Sequence, residues 1–487
     1  MNKFNRNFRP AKTGTSWWPG AVVLAMAISA ALPGQAGEPV PWAETTPALS
    51  KITTLPSGVL SRQELDHLIK VGDELFSAKF TKQDGAGRPG ATQAIIPTKA
   101  RHRAANNFAR LSGPDAQSCV SCHNDPLPGG AGDPVTNVFV SEGFTNANFD
   151  TSDPQFSNER GTNHLFGAGL IELLAREMTQ DLQALRTKAL ATAAQTGEET
   201  RIKLHSKGVD FGHIIALPDG LVDLKQVEGV DTDLVIRPFS QKGVMVSLRQ
   251  FTVNAMNHHH GMQADERFGP RWTGEADFDE DKMPKEMGAA AISALVAWQA
   301  TLPAPDVLKP DDKAWQQAAA DGERTFNSLQ CTVCHKASLP LSSLKFSDPG
   351  PMDVAGTLST RQVGQAAVYD LELLDWVRAL PRNQKGEVLV PLFGDLKRHK
   401  MTDRSVHALG NELLSQRFVG RDIFMTTELW GVASTAPYGH RNDFSTLDEI
   451  ILAHGGDARK SRDGYAGLEP GEKQNLIAYL KTLVIKP

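Results

Sequence analysis

The chain has 487 residues, 40% of them hydrophobic and 22% charged, with a formal net charge of −5. That length suits two or three domains, and the mild acidity excludes the basic footprint of a nucleic-acid binder. Only four cysteines occur, and all four fall in two copies of one motif.

Residues 1–36 read as a secretory leader. Lys3, Arg6, Arg9 and Lys12 form a basic start, Ala21 to Leu32 an apolar run, and Gly34-Gln35-Ala36 a small-x-small cleavage site. The run is short for a membrane span. The chain is therefore expected to be exported to the periplasm, with no span left after cleavage. Removing those four basic residues takes the net charge from −5 to about −9.

Residues 37–60 read as a tether rich in Pro, Thr and Ala. Ser61-Arg62-Gln63-Glu64 has the spacing of a capping box and opens a helix to about Phe76. Residues 81–100 hold Gly85, Gly87, Pro89, Gly90 and Pro97 and read as loop. Cys119-Val120-Ser121-Cys122-His123 follows, then a Gly/Pro/Asn/Asp-rich loop to about Arg160. A helix is expected from Leu165 to about Thr196, carrying Glu172, Arg176 and Glu177. Short strands are expected near Val209 to Ile215 and Asp233 to Ile236. Residues 264–288 read as polar loop, and Gly288 to Leu302 as a helix ending at Leu302-Pro303-Ala304-Pro305. The domain boundary is placed there, giving an N-terminal domain over 61–305 and a C-terminal domain over 306–487.

The second half opens with a helix, Asp312 to Leu329, leading into Cys331-Thr332-Val333-Cys334-His335. A loop to about Gly364, a helix over Gln365 to Leu380, and two last helices over Thr446 to Ala453 and Glu469 to Leu483 complete the reading. The halves look like an old repeat. Gly72-x-x-x-Phe76 and Gly322-x-x-x-Phe326 precede the motifs, and segments Leu295 to Leu302 and Leu476 to Leu483, with Trp298 and Tyr479 in register, close the halves. The fold expected is mainly α, with two tandem domains, one around each motif, swollen by long loop and short-strand insertions.

Cys-x-x-Cys-His is the attachment signature of c-type haem. Both thiols add to the haem vinyl groups, and the adjacent histidine becomes the proximal iron ligand. Two copies with no cysteine left over outweigh the alternatives of a zinc site, which needs four converging ligands, a redox dithiol, or a disulfide. Two covalently bound c-type haems are thus expected, on Cys119, Cys122 and His123 and on Cys331, Cys334 and His335.

The opposite face of each iron decides function, because a strong sixth ligand favours electron transfer and an open position admits peroxide or oxygen. In the second half the candidates are His399, His407, His440, His454, Met401 and Met425. His454, before Gly455-Gly456, is either a ligand or a cation at a helix C-terminus. In the first half, His258, His259 and His260 are either a ligand source or a polar loop, and His260 aligns with His454. Glu172 and His164 are the candidate proton handlers for peroxide scission. Trp272, Trp298 and Trp430 are candidate electron relays or simply core, with Trp430 favoured as the relay.

The run from Leu429-Trp430-Gly431 through Tyr438-Gly439-His440, Thr446 to Ile450 and His454-Gly455-Gly456 resembles the C-terminal signature of the bacterial dihaem cytochrome c peroxidase superfamily. Leu165 to Glu172 and Ser247 to Gln250 resemble its dihaem oxidoreductase branch, also labelled thiol oxidoreductases. The superfamily includes the methylamine-utilisation dihaem enzyme, and latex-cleaving dihaem dioxygenases are more distant relatives.

The resemblance implies cytochrome c-like domains, His454 as distal ligand of the C-terminal haem, and His440 near that haem but off the iron. Arg441-Asn442 stands where the family has Asp-Gly, and His260 stands at the place of a methionine. It also implies a small redox protein or the quinol chain as electron partner, and leaves open a calcium between the domains. The expected activity is a cytochrome c peroxidase-like oxidoreductase. A pure electron-transfer cytochrome is the alternative, and an oxygenase of an organic substrate the third reading.

Overall fold

The structure is a computed structural model that describes residues 48–49, 54–92, 94, 96–99, 116–140, 157–353, 356–412 and 415–486. The expected leader and most of the expected tether lie outside these residues. Helices outweigh strands, but the described residues also form six small sheets of two or three strands. No helix among them is long and apolar enough to cross a membrane.

The first helix, Arg62–Ser77, starts where Ser61 predicts. The Glu64 carboxylate accepts from Ser61 N at 2.7 Å, and Glu64 N donates to Ser61 Oγ at 3.3 Å. Its apolar face buries Leu65, Leu68, Val71, Leu75 and Phe76 against Ala289–Thr301, a helix buried on nearly every side. A methyl group at Gly72 would overlap the Ala294 carbonyl and stand 2.7 Å from Trp298 Cβ. The second half repeats this crossing. Lys313–Ser328 meets Pro470–Leu480 at Gly322, where a methyl would overlap the Asn475 carbonyl and stand 2.9 Å from Tyr479 Cβ. The aromatic partners follow suit, with ring centroids of Phe76 and Trp298 4.1 Å apart and of Phe326 and Tyr479 5.6 Å apart. The glycine–aromatic register seen in the sequence is thus the register of two helix crossings.

Between these frames, the long helix Ala168–Thr196 starts three residues later than expected, because Gly167 takes φ 77 and lies against Trp430, Cζ2 of which would be 2.5 Å from a methyl at that position. It packs on the hairpin Thr200–Ser206/Val209–Ala216, whose turn residues Lys207 and Gly208 both have positive φ. Asp233 to Ile236 is not a strand: Leu234 is left-handed (φ 58), and Asp233 caps Val235 N and binds Arg237. Residues Gly132–Val140 and Ser157–Thr162, read as loop, form an antiparallel ladder. The polar stretch 264–288 holds two one-turn helices, Asp265–Phe268 and Pro270–Thr273.

The expected helix over Gln365 to Leu380 is replaced by a strand, Ala367–Asp370, paired with Lys345–Asp348, and by a one-turn helix, Asp375–Arg378. Tertiary partners override the helical pattern here. Tyr369 is fully buried, stacks on Phe346 at 5.8 Å and donates its hydroxyl to Asp348 at 2.8 Å. Asp348 in turn accepts from buried Arg249, which also binds Glu266. One large apolar core runs from Leu60 through Leu396 and takes in Trp430 and Ile485, and a smaller one gathers Phe326, Phe393, Tyr438, Leu447, Tyr465 and Leu476.

Candidate haem sites

Each Cys-x-x-Cys-His motif begins with a 3-10 turn, Cys119–Ser121 and Cys331–Val333, so that the histidine N–H returns to the carbonyl of the first cysteine, at 3.0 Å for His123 and 2.9 Å for His335. None of the four cysteines forms a disulfide. Burial, with the neighbouring Cys122, pushes the Cys119 thiol up to about 12, and burial pushes Cys331 up to about 11. A redox dithiol needs the opposite, a lowered thiol.

Four histidines share one hydrogen-bonding state. His123 Nδ1 faces Gly130 O at 3.3 Å, His335 Nδ1 faces Phe393 O at 3.2 Å, His454 Nδ1 faces Ile450 O at 2.7 Å, and His260 Nδ1 faces Ala116 O at 2.8 Å. A carbonyl only accepts, so Nδ1 carries a proton in each ring. Metal-bound histidines are commonly oriented in this way by a second partner. Burial holds His123 and His335 down to about 4 and lowers His454 as well, so these rings are neutral at ordinary pH. His454 also lowers His335 electrostatically. His260 Nε2 is 3.5 Å from Cys119 Sγ and its ring lies 5.5 Å from that of Phe80. His260 is the last residue of a π-turn, Met256–His260, which ends the helix Leu248–Ala255.

His164 comes to the first motif. Burial and the neighbouring His123 hold it down to about 4, against the pull of a hydrogen bond from its Nε2 to Trp430 O at 3.2 Å. Trp430 is 2% exposed and its amide reaches Leu392 O at 3.5 Å. The next residue, Phe393, supplies the carbonyl that orients His335. His164 Nδ1 and Trp430 Nε1 are buried without a hydrogen-bond partner among the described residues. Trp298 packs in the helix crossing, and Trp272 is 42% exposed.

Glu172 is held elsewhere. One oxygen accepts from Arg176 at 2.5 Å and the other from Leu248 N at 2.7 Å, so both are engaged in a buried network that also reaches Ser347 through Arg176. Burial raises its carboxyl and Arg176 opposes the shift.

His440 is buried in an ionic cluster. Its Nε2 lies 3.6 Å from Glu412, which pairs with Arg160 and stands 3.8 Å from Lys242. Burial and the cations Arg160, Lys242 and Arg441 hold His440 down to about 2, and burial takes Lys242 down to about 7. Arg441 binds Glu159 and Asn442 donates to Gly132 O and Asp133 O, so these two residues fasten the 132–162 ladder.

His399, weighed from sequence as one ligand among several, has a specific setting: its ring binds Asp395 at 2.8 Å and stands 4.0 Å from Cys334 Sγ. Met425 points its methyl at Gly243, and His407 is exposed.

The donor set fits c-type haem. Each motif offers two thiols and a neutral histidine held through Nδ1, and the two orphaned ring nitrogens between the motifs suit the polar edge of a bound group. No family model matches the chain, and no curated protein matches its sequence. Among solved structures the chain is similar to hydrazine synthase of Kuenenia stuttgartiensis, at 13% identity over 94% of this chain and 98% of that one, with a TM-score of 0.35. It is also similar to a MauG-like protein associated with microbial copper homeostasis, at 17% identity over 55% of this chain and 77% of that one, with a TM-score of 0.28. Both likenesses are too distant to assign residues, and the site stands on its own geometry.

Proposed function

We propose that the chain is an exported dihaem c-type oxidoreductase of the cytochrome c peroxidase type. The observation that carries this reading is that His123, His260, His335 and His454 each set Nδ1 against a main-chain carbonyl. Cys119 and Cys122 would hold one haem and Cys331 and Cys334 the other, with His123 and His335 as proximal ligands. When bound, the haems supply one-electron chemistry and a coordination position for peroxide or oxygen.

His454 is assigned as the distal ligand that closes the C-terminal site and makes it the relay. At the N-terminal site His164 is assigned as proton handler. Its Nε2–H is fixed on Trp430 O, which leaves the Nδ1 lone pair to take a proton and return it. Glu172, with both oxygens engaged, is left as the support of Arg176 and of the Leu248 amide. Trp430 lies between the two motifs and is assigned as the electron relay. A small redox protein or the quinol chain would supply electrons.

A second reading, a pure electron-transfer cytochrome, is favoured by His260. It is prepared as a ligand in the same way as His454 and lies 3.5 Å from Cys119 Sγ. The low-temperature electron paramagnetic resonance spectrum of the oxidised protein, with haem counted by mass, tests both. One high-spin and one low-spin signal support the peroxidase-type reading. Two low-spin signals that persist on half-reduction assign the chain to electron transfer. A mass without covalent haem overturns both.

A further inference from the structure

The loop Asp277-Phe278-Asp279-Glu280-Asp281 lies apart from both motifs. One carboxylate oxygen from each of Asp277, Asp279 and Asp281 falls within 4.8 Å of the others. Acidic clusters on a surface are ordinary, but this one has a buried member. Asp279 is fully buried, and neither of its carboxylate oxygens has a hydrogen-bond partner among the described residues. No Lys or Arg among them forms an ion pair with any of the three. Lys99, the nearest candidate, binds Glu275, Glu280 and the Phe278 carbonyl instead.

An enclosed carboxylate facing two more carboxylates is an expensive arrangement unless something neutralises it. Glu286 is buried, and its Oε2 accepts from Gln263 N at 2.6 Å. The Gln263 side-chain amide is also buried with both polar atoms unpartnered.

We infer that this loop is a calcium site, separate from any calcium between the domains. Calcium loops draw side-chain oxygens from positions 1, 3 and 5, turn sharply at position 6, and use the carbonyl of position 7. Asp277, Asp279 and Asp281 occupy the first three places. Lys282 follows with φ 78, the left-handed conformation for which such loops carry glycine. Asp277 accepts from Asp281 N at 3.1 Å and Lys282 N at 3.0 Å, which curls the loop around its own carboxylates. Phe278, between the first two ligands, is anchored with Ala91 and Phe268 in a small core. Calcium takes six to eight oxygens in adaptable geometry, and magnesium demands a strict octahedron. The uneven set here suits calcium.

The site is braced against the first motif's surroundings. A methyl at Gly90 would be 2.5 Å from Asp279 O, and three residues earlier Gly87 N donates to His260 O at 3.3 Å.

Titrating calcium chloride into the chelator-stripped full chain by calorimetry tests the inference, with magnesium as competitor. The expected result is one calcium per chain with a Kd in the range of about 10⁻⁷ to 10⁻³ M, and at least roughly tenfold weaker binding in Asp279→Asn. Asp281→Asn, on a less buried position, should weaken binding too and keeps the test decisive if Asp279→Asn does not fold. Absence of calcium binding up to about 1 mM, or undiminished binding in both variants, would overturn the assignment.

Discussion

Replacing Gly322 by Ala tests whether the helix before the second motif is seated as described. The added methyl carbon would lie 2.5 Å from the Asn475 carbonyl carbon and 2.9 Å from Tyr479 Cβ, where two carbons settle at about 3.5–4.0 Å. The obstacles are main chain and a Cβ, so no rotamer change relieves them and Pro470–Leu480 must move off by about 1 Å. Overpacking of this kind costs about 1–3 kcal/mol, against a gain of about 1 kcal/mol from replacing glycine inside a helix. The net expectation is a loss of up to about 2 kcal/mol. Equilibrium urea denaturation followed by circular dichroism reads it. Gly471→Ala is the control, since a methyl there meets nothing within 4 Å. If Gly322→Ala were more stable than the parent by that full gain of about 1 kcal/mol, the propensity gain would stand alone and the helices would not cross at that residue.

His454→Ala should leave two covalent haems by mass and convert one to high spin; an unchanged spectrum would rule out His454 as a ligand. Cys331→Ala combined with Cys334→Ala should remove one haem from the mass, and retention of both would refute covalent attachment at that motif. Trp430→Phe should keep both haems, slow electron equilibration between them in the half-reduced protein, and destabilise the fold by about 1–3 kcal/mol; unaltered kinetics would exclude Trp430 as relay. Burial alone would lower His399, but its bond to Asp395 raises it. The stabilisation from that raised group is complete below the ordinary histidine value of about 6.5 and is lost as pH rises through the raised value. Asp395→Asn should flatten this loss in a pH series of melting temperatures, and an unchanged profile would remove the pair from the account.

What was legible in the sequence had local causes. Ser61 and Glu64 cap a helix with atoms three residues apart, and Gly72 and Gly322 stand where nothing larger fits, so their register with Trp298 and Tyr479 could be read without coordinates. What was illegible depended on distant partners. Ala367–Asp370 carries a helix-compatible pattern and becomes a strand because Phe346 and Asp348 receive Tyr369. Glu172 and His164 lie eight residues apart and looked equivalent as acids or bases; only the fold shows Arg176 and the Leu248 amide occupying one, and His123 beside the other. The Asp277–Asp281 run did have a local signal, the alternate spacing of three aspartates. Its meaning rests on the burial of Asp279, which spacing does not show.

The two motifs are connected through a short piece of backbone. His164 hangs from the Trp430 carbonyl, the Trp430 amide leans on Leu392, and the Phe393 carbonyl sets the tautomer of His335. A shift of Trp430 therefore acts on both sites at once. Gly167 makes this arrangement tight, since a side chain there would collide with the indole. Opening of the first site and the state of the second are accordingly expected to be coupled through Trp430 as a mechanical link, whether or not electrons pass through its ring. A Trp430→Phe variant that kept fast electron transfer but no longer changed spin state on half-reduction would separate those two roles.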